Sequence, residues 1–268
     1  MTCIKLGIST MPFIKSQFSE IVKAVENAPE SLELDCWEII EEGFHFLNPE
    51  RIKALKDAAS TSKVSFTVHA PFAGINLASP EPLQSVLLDF MDRALERAHA
   101  LEAEVFITHP GLLSPFTVHF PEIAWKSLIN SIKHLAKLSE ELGSPKIAVE
   151  NMAPPYPFLV IKTQDVERLF QELESFSVGL CLDIGHAQKS GGVMEFINNV
   201  GQYITHVHAH DNRGEKDAHL QVGKGMVNWE TVISSLKELE FNGCIVVENN
   251  NLEDAYNSVH YLKTLINS

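Results

Sequence analysis

The sequence predicts an α/β protein folded as a single (β/α)8 TIM barrel, one domain that spans residues 1–268. Eight short, β-rich apolar runs alternate along the chain with stretches of amphipathic helical pattern. A length of 268 residues suits one such barrel, which typically needs about 250. No glycine- or proline-rich linker divides the chain, and the proline-rich stretch Met152–Phe158 directly follows a predicted strand, as a βα loop does. A doubly wound open sheet is the alternative arrangement of the same elements.

Each predicted strand is a short run of aliphatic and β-branched residues, which is typical of strands that are buried on both faces. The eight predicted strands are Ile4–Ser9, Leu32–Ile39, Val64–His69, Val105–His109, Lys146–Glu150, Val178–Asp183, Ile204–His208 and Cys244–Glu248. Right-handed helical crossovers between parallel strands allow eight of them to close into a barrel.

The segments between the strands carry apolar residues at three- and four-residue steps, the period of an amphipathic helix. The clearest of these segments are Leu83–Leu101 and Glu122–Leu142. Several helix starts are marked by a capping residue or by a proline at the first helical position, as in Asn48-Pro49, Ser79-Pro80 and Phe120-Pro121. Helix and strand are therefore predicted to alternate.

The balance of acidic and basic residues bears on the class of substrate. The formal net charge is −14, with 35 acidic residues against 21 basic ones. Binding a nucleic-acid backbone normally requires a basic surface, so a nucleic-acid partner is disfavoured unless positive charge is concentrated locally. A small carbohydrate or another small polar molecule fits this balance better.

The cysteines and the chain start bear on the location of the protein. Cys3, Cys36, Cys181 and Cys244 form no CxxC pair and lie in or beside predicted strands, so we expect reduced core cysteines. No signal-peptide pattern or membrane-spanning apolar run is present in the sequence. We therefore expect a cytoplasmic protein with no membrane partner, and homo-oligomerisation is open.

Six consecutive predicted strands, the third to the eighth, end in a residue that can bind a metal ion. These terminal residues are His69, His109, Glu150, Asp183, His208 and Glu248. The carboxyl ends of the strands of a TIM barrel meet at one face, where the catalytic groups of this fold lie, so we expect these side chains to converge. A carboxylate at the end of a buried strand also needs a partner, because burying an unpaired charge is costly.

Three further candidate ligands lie just beyond the strand ends. His186 follows Asp183 by three residues, and Asp217 and His219 lie in the loop after the seventh strand. Imidazoles and carboxylates together suit zinc, manganese, iron or cobalt, whereas magnesium favours a shell of oxygens. The sequence therefore predicts a divalent-metal centre at the barrel mouth.

Other histidines and aromatic residues have less specific patterns. His206, His208 and His210 alternate at period two, so they lie on one side of the seventh strand. We expect His206 to pack inside the barrel and His210 to contact a loop. Trp37 and Phe72 are predicted to line the substrate pocket, with core packing as the alternative for each. The histidines expected at the surface are His45, His99, His119, His134 and His260.

Several short motifs recur in order over nearly the whole chain. They are His69-Ala-Pro-Phe72, Ile75–Pro80, Thr108–Gly111, Val149-Glu-Asn151, Cys181–Ala187, His208–Asp211, Asp217-Ala-His219 and Gly223-Lys-Gly225. Together they resemble the xylose isomerase-like TIM-barrel superfamily, which includes endonuclease IV and many sugar isomerases and epimerases. The resemblance implies a xylose isomerase-like (β/α)8 barrel with a divalent-metal centre, and it is less specific for one activity.

Within that superfamily the resemblance implies two ligand patterns. The endonuclease IV pattern places one ion on His69, His109 and Glu150, a second on Glu150, Asp183, His208 and Glu248, and a third on His186, Asp217 and His219. The isomerase and epimerase pattern places one ion on Glu150, Asp183, His208 and Glu248. The expected cofactor is therefore one to three divalent ions, with zinc and manganese as the expected metals.

The same residues support two chemistries. In the first, the protein isomerises or epimerises a small sugar, sugar phosphate or polyol-ketone through an enediolate. Glu150 and Glu248 are then the catalytic acid and base, and His186 and Arg213 hold substrate hydroxyls or a phosphate, although Arg213 matches the family pattern only approximately.

In the second chemistry, clustered metals hydrolyse a phosphodiester at abasic sites in DNA, as in endonuclease IV. The complete ligand set and the segment Ile75–Pro80 favour it. The net charge and the acidic stretch Trp37–Glu42 oppose it, because every phosphate contact needs positive charge. We favour the isomerase or epimerase; another metal-dependent lyase or hydrolase, or a non-catalytic carbohydrate-binding protein, is a more distant alternative.

Overall fold

The computed structural model describes residues 4–268 and contains eight parallel strands that close into a barrel in chain order. The strands are Lys5–Ser9 (β1), Cys36–Ile40 (β2), Ser65–His69 (β3), Val105–Thr108 (β4), Lys146–Glu150 (β5), Val178–Asp183 (β6), Ile204–Ala209 (β7) and Cys244–Val247 (β8). Pairing of β1 with β8 completes the ring, which excludes the open-sheet alternative. The prediction of a (β/α)8 TIM barrel is confirmed.

Helices connect the strands and surround the barrel. Within residues 4–268 they are Phe18–Glu26 (α1), Pro49–Ser62 (α2), Leu83–Ala100 (α3), Pro121–Leu142 (α4), Thr163–Glu172 (α5), Ile184–Lys189 (α6), Val193–Val200 (α7), Trp229–Glu238 (α8) and Leu252–Asn267 (α9). The connection from β6 to β7 holds two helices, α6 and α7. Gly191 and Gly192 separate them with φ values of 139° and 118°, a backbone conformation that a helix cannot include. None of the helices described is long and apolar enough to cross a membrane.

The second strand begins later than its apolar pattern predicts. Leu32 ends a short 3-10 turn, Glu30–Leu32, and Glu33 follows in the left-handed region at φ 47°, so the chain cannot become extended there. The observed strand starts at Cys36, and the predicted start at Leu32 is wrong. Elsewhere strand ends differ from the predictions by about one residue, as at His109 and Glu248, which lie just beyond β4 and β8.

Side-chain alternation along β2 divides its residues between two environments. Trp37 and Ile39 are fully buried in the main apolar core, which packs the sheet against the helices. Cys36 and Glu38 point the opposite way, into the barrel, where Cys36 contacts Cys244 of β8 and Glu38 contacts His206 of β7. The barrel interior is therefore partly polar below its mouth.

Two of the cysteines depart from the expectation of reduced thiols. Cys36 and Cys244 are joined as a disulfide, so that expectation is wrong for this pair. Their strands flank β1, and Gly7 lies between them; a Cβ atom at Gly7 would overlap the Cys36 sulfur, so only glycine leaves room for the pair. Cys181 is free and buried, as expected. Cys3 lies outside the described residues.

One of the five histidines expected at the surface is buried. His45 is 1% exposed, and its ring lies against Phe18 of α1 with Nε2 3.3 Å from the Ser16 carbonyl oxygen. The 3-10 turn Gly43–His45 directs the His45 side chain toward α1. A sequence prediction that places His45 on a helix or loop does not give this direction. His99 is half-buried, and the exposed members of the group are His119, His134 and His260.

Candidate active site

The carboxyl ends of β3 to β8 bring the six predicted strand-end ligands to one mouth of the barrel. Five of the six are buried, whereas the His109 side chain is 21% exposed. They form overlapping groups of imidazoles and carboxylates, and Glu150 is shared between groups, with Oε2 beside His69 and His109 and Oε1 beside His208. This convergence follows from parallel closure, because each strand delivers its last inward residue to the same face.

The first group consists of His69, His109 and Glu150. The Nε2 atoms of the two histidines each lie 3.3 Å from the same oxygen, Glu150 Oε2. Their rings meet edge to face with centroids 4.9 Å apart. His69 Nδ1 lies 2.9 Å from the Ala70 carbonyl oxygen, so a proton on Nδ1 leaves the Nε2 lone pair directed at the group.

The second group surrounds His208. Its Nδ1 lies 3.6 Å from Glu150 Oε1, 3.6 Å from Glu248 Oε2 and 3.9 Å from Asp183 Oδ2. This nitrogen is fully buried and makes no hydrogen bond. A buried polar atom without a partner beside three carboxylates is costly unless a cation lies among them, so this donor set fits a divalent metal.

The third group lies between α6 and the loop after β7. His186 Nε2 is 3.1 Å and His219 Nε2 is 3.5 Å from Asp217 Oδ2. Backbone carbonyls hold the other ring nitrogens, since His186 Nδ1 lies 2.9 Å from Asn151 O and His219 Nδ1 lies 3.0 Å from Glu248 O. All three predicted ligands of this group therefore face one another.

Mutual contacts shift the protonation of these groups. Burial by itself would raise the pKa of Glu150, but the charge and hydrogen bond of His109, with two further histidines, hold it well below its usual range. Burial opposes protonation of His219, yet the hydrogen bond to Asp217 and the charge of Glu248 raise its pKa to about 9. Burial lowers the pKa of His109. The raised pKa of His219 places a proton beside the carboxylates of Asp217 and Glu248, and a divalent cation bound there would displace that proton.

A cavity of about 530 Å³ opens over these groups, a size that suits a small molecule. Its floor includes His69, Glu150 and Glu248, and its walls are mainly apolar, with Phe72 and Phe158 among them. The cationic residues of the lining are Lys189 and Lys216.

The structure places the predicted substrate-binding residues differently. His186 and Phe72 line the cavity. Trp37 lies in the apolar core on the helix side of β2, because it alternates with the inward-pointing Glu38. Arg213 is exposed and does not belong to the cavity lining.

Two polar residues near the site were not predicted to belong to it. His210, expected to contact a loop, is fully buried with Nε2 3.1 Å from Asp183 Oδ1, and it stacks on His219 at 3.9 Å between centroids. Gly185 makes this position possible, because a Cβ atom there would overlap the His210 ring. The other residue is Glu38, whose signal was a carboxylate in the middle of an apolar strand, Cys36–Ile40. Two acidic residues of the stretch 37–42, Glu38 and Glu41, are thus buried, Glu38 inside the barrel and Glu41 beside Arg97 of α3.

Comparisons with known proteins identify the family and agree with the barrel fold. A family model described as xylose isomerase-like TIM barrel matches residues 24–265. The chain is 34% identical to an uncharacterised protein of Methanocaldococcus jannaschii over 265 residues, which are 97% of this chain and 88% of that protein. A solved structure described as a D-tagatose 3-epimerase-like protein superposes with a TM-score of 0.89 at 31% identity, over 98% of this chain and 97% of the other.

Similarity to endonucleases is more limited in extent. A probable endonuclease 4 of Mesomycoplasma hyopneumoniae is 28% identical over 178 residues, which cover 62% of each protein. The similarity to the epimerase-like structure extends along nearly the whole chain, whereas the similarity to this endonuclease covers less than two thirds of it.

Proposed function

Because the chain belongs to the xylose isomerase-like TIM-barrel family, we propose that it is a divalent-metal-dependent isomerase or epimerase of a small sugar or sugar phosphate. The whole-length similarity to a D-tagatose 3-epimerase-like protein supports a ketose epimerase in particular. The observation that carries the proposal is the pair Glu150 and Glu248. Each places a carboxylate oxygen 3.6 Å from His208 Nδ1, and both open on a cavity of small-molecule size.

The residues that would hold the cation are Glu150, Asp183, His208 and Glu248. Nitrogen and oxygen ligands together suit zinc or manganese. A bound divalent cation acts as a Lewis acid, which makes the C–H bond next to a substrate carbonyl more acidic.

The chain's own residues supply the proton transfers. One of the two glutamates removes the proton from the carbon beside the carbonyl, and the electron pair of that C–H bond enters the enediolate of the sugar. The other glutamate donates a proton to the opposite face of the same carbon, which inverts its configuration. Exchange with solvent then restores both carboxyl groups. Phe72 and Phe158 in the cavity wall limit the access of water to the enediolate.

Solvent exchange tests this reaction directly. Protein loaded with Mn²⁺ would be incubated in D2O with ketopentoses, ketohexoses and their phosphates, and deuterium at the carbon beside the carbonyl would be followed by NMR. We expect exchange and epimer formation with at least one of these sugars. At saturating Mn²⁺, Glu150→Gln and Glu248→Gln should each lower the rate by about 10²- to 10⁴-fold. Glu215→Gln, which removes a carboxylate from the cavity rim outside the ligand groups, is the matched control. Full exchange activity in both glutamate variants would overturn the proposal.

A second candidate function is phosphodiester hydrolysis at abasic sites. The first and third groups favour it, because His69 and His109 on one side and Asp217 and His219 on the other offer ligands that a one-metal epimerase does not need. The net charge of −14 and a largely apolar cavity wall oppose it. Cleavage of a duplex that carries one abasic site, by metal-loaded protein that exchanges no sugar proton, would make it the better candidate.

A further inference from the structure

A second polar layer lies inside the barrel directly below the ligand groups, and Glu38 is its centre. The Glu38 side chain is fully buried and contacts three side chains from neighbouring and distant strands. Its Oε2 accepts a hydrogen bond from the Thr67 hydroxyl at 3.0 Å and lies 2.9 Å from His206 Nε2. Its Oε1 lies 3.1 Å from His208 Nε2. One carboxylate thus joins β2, β3 and β7 through the barrel interior.

The two nitrogens of His208 face opposite surroundings. Nδ1 faces Glu150 and Glu248 at the mouth, whereas Nε2 faces Glu38 below. A neutral imidazole carries one N–H and one lone pair, and a carboxylate beside one nitrogen favours the proton there. A divalent cation held by the mouth carboxylates would take the place of a proton on Nδ1, and Glu38 then favours the ring proton on Nε2. The Nε2–Oε1 contact is close but is not aligned as a hydrogen bond.

The other partners of Glu38 leave one of its oxygens for this role. Thr67 and His206 both contact Oε2, so Oε1 is free to accept from His208. They also fix the direction of the carboxylate, which a buried charge requires if it is to be tolerated. His206 therefore supports Glu38 instead of only filling space.

We propose that Glu38 is a positioning residue for the cation site: it holds the proton of His208 on Nε2, so that Nδ1 is a ready ligand. Carboxylates that hold the second nitrogen of a metal-binding histidine typically raise metal affinity by about 10- to 100-fold. The inference rests on the cation site of the proposed function but not on its sugar chemistry.

The first test uses the unmodified protein. With histidines labelled by ¹⁵N and Zn²⁺ as the diamagnetic probe, NMR reports which nitrogen of His208 carries the proton and which carries the metal. Comparison with His206→Gln, in which one neighbouring ring is missing, assists the assignment. We expect Zn²⁺ on Nδ1 and a proton on Nε2. Zn²⁺ on Nε2 of a folded protein would overturn this inference alone, whereas a protein that binds no Zn²⁺ would overturn the cation site of the proposed function as well.

The second test measures Zn²⁺ affinity by calorimetry against a competing chelator. Glu38→Val should weaken binding by about 10- to 100-fold. Glu38→Gln, which keeps an oxygen acceptor but loses the charge, should weaken it less. The matched control is Ile39→Val, a buried change on the opposite face of the same strand, which should leave the affinity unchanged while lowering stability slightly. Unchanged Zn²⁺ affinity in Glu38→Val would overturn the inference. If the valine variant does not fold, Glu38→Gln decides: unchanged Zn²⁺ affinity together with an unaltered position of the His208 proton would overturn the inference.

Discussion

The side chain of Asn151 holds the backbone of Asp183 at two points. Asn151 Oδ1 accepts a hydrogen bond from the Asp183 N–H at 2.8 Å, and Asn151 Nδ2 donates to the Asp183 carbonyl oxygen at 3.1 Å. Both residues are fully buried. The amide therefore joins the carboxyl ends of β5 and β6, where two of the candidate metal ligands lie.

This relationship predicts the effect of Asn151→Ala. The change leaves a buried N–H and a buried carbonyl without partners, so we expect the free energy of unfolding to fall by about 1–3 kcal/mol. Because Asp183 then loses its fixed position, we also expect weaker Mn²⁺ binding. Urea denaturation and calorimetry measure the two effects. Asn250→Ala, which removes a similar amide from an exposed site, is the control and should change neither quantity appreciably.

Gly185→Ala tests the packing of His210 against α6. The added Cβ would overlap a fully buried imidazole, so the ring or the helix must move, and we expect a loss of about 1–3 kcal/mol in unfolding free energy. Gly214→Ala is the comparison, because it has open space around it but a φ of 84°, and backbone strain there should cost about 1 kcal/mol. Chemical denaturation of both variants checks the difference. Equal losses would mean that His210 adapts without cost.

The raised pKa of Glu41 predicts that the free energy of unfolding depends on pH, through a group that is not one of the candidate metal ligands. Burial raises the pKa of Glu41 to about 7, although the hydrogen bond and charge of Arg97 oppose the shift. Between pH 4.5, the usual pKa of glutamate, and 7, the unfolded chain releases this proton while the folded protein keeps it. The contribution of Glu41 to stability is therefore complete below pH 4.5 and is lost as the pH rises through 7.

The measurement compares the native chain with Glu41→Gln by urea denaturation from pH 4.5 to 8. We expect the native chain to lose on the order of 3 kcal/mol relative to the variant across this range. Parallel pH profiles for the two proteins would contradict the raised pKa.

Metal removal tests the centre as a whole. A cation that binds only the folded state stabilises it, by about 2.7 kcal/mol at a free concentration 100 times the dissociation constant. We therefore expect EDTA to lower the melting temperature of natively purified protein and Mn²⁺ to restore it. No change in melting temperature at any Mn²⁺ concentration would argue against a metal centre in the folded protein.

The number of ions separates the two candidate functions. The protein for elemental analysis is purified without chelators and without a nickel column. For the proposed epimerase we expect about one ion per chain, and we expect the same number in His219→Ala. About three ions, falling when His219 is lost, would favour the phosphodiesterase and direct the next assay to abasic DNA.

Much of the site could be predicted because it follows from local order along the chain. Each apolar run ends at a fixed residue, and parallel strands in a closed barrel place those ends together whatever the details of packing. His69, Glu150 and Asp183 could therefore be placed at the mouth from their positions in sequence. The third group was accessible for the same reason, since His186 lies one helical turn beyond Asp183.

The site residues that were not predicted are placed by contacts between strands, which the sequence of one strand does not reveal. Whether Trp37 or Glu38 faces the barrel depends on which side of β2 turns inward, and the partners of Glu38 come from β3 and β7, far away in sequence. The disulfide between Cys36 and Cys244 likewise requires two strands that meet only across β1.

The sequence by itself determined the barrel, the ring of candidate ligands at its mouth and the residue types that suit a divalent metal, because strand period and strand order suffice for these. Only the tertiary structure decided that Arg213 stays outside the cavity, that His210 lies among the ligand groups and that Glu38 faces His208 from below. The physical reason is that inward direction and cross-barrel contact are set by the register with which all eight strands close, which is a property of the complete ring.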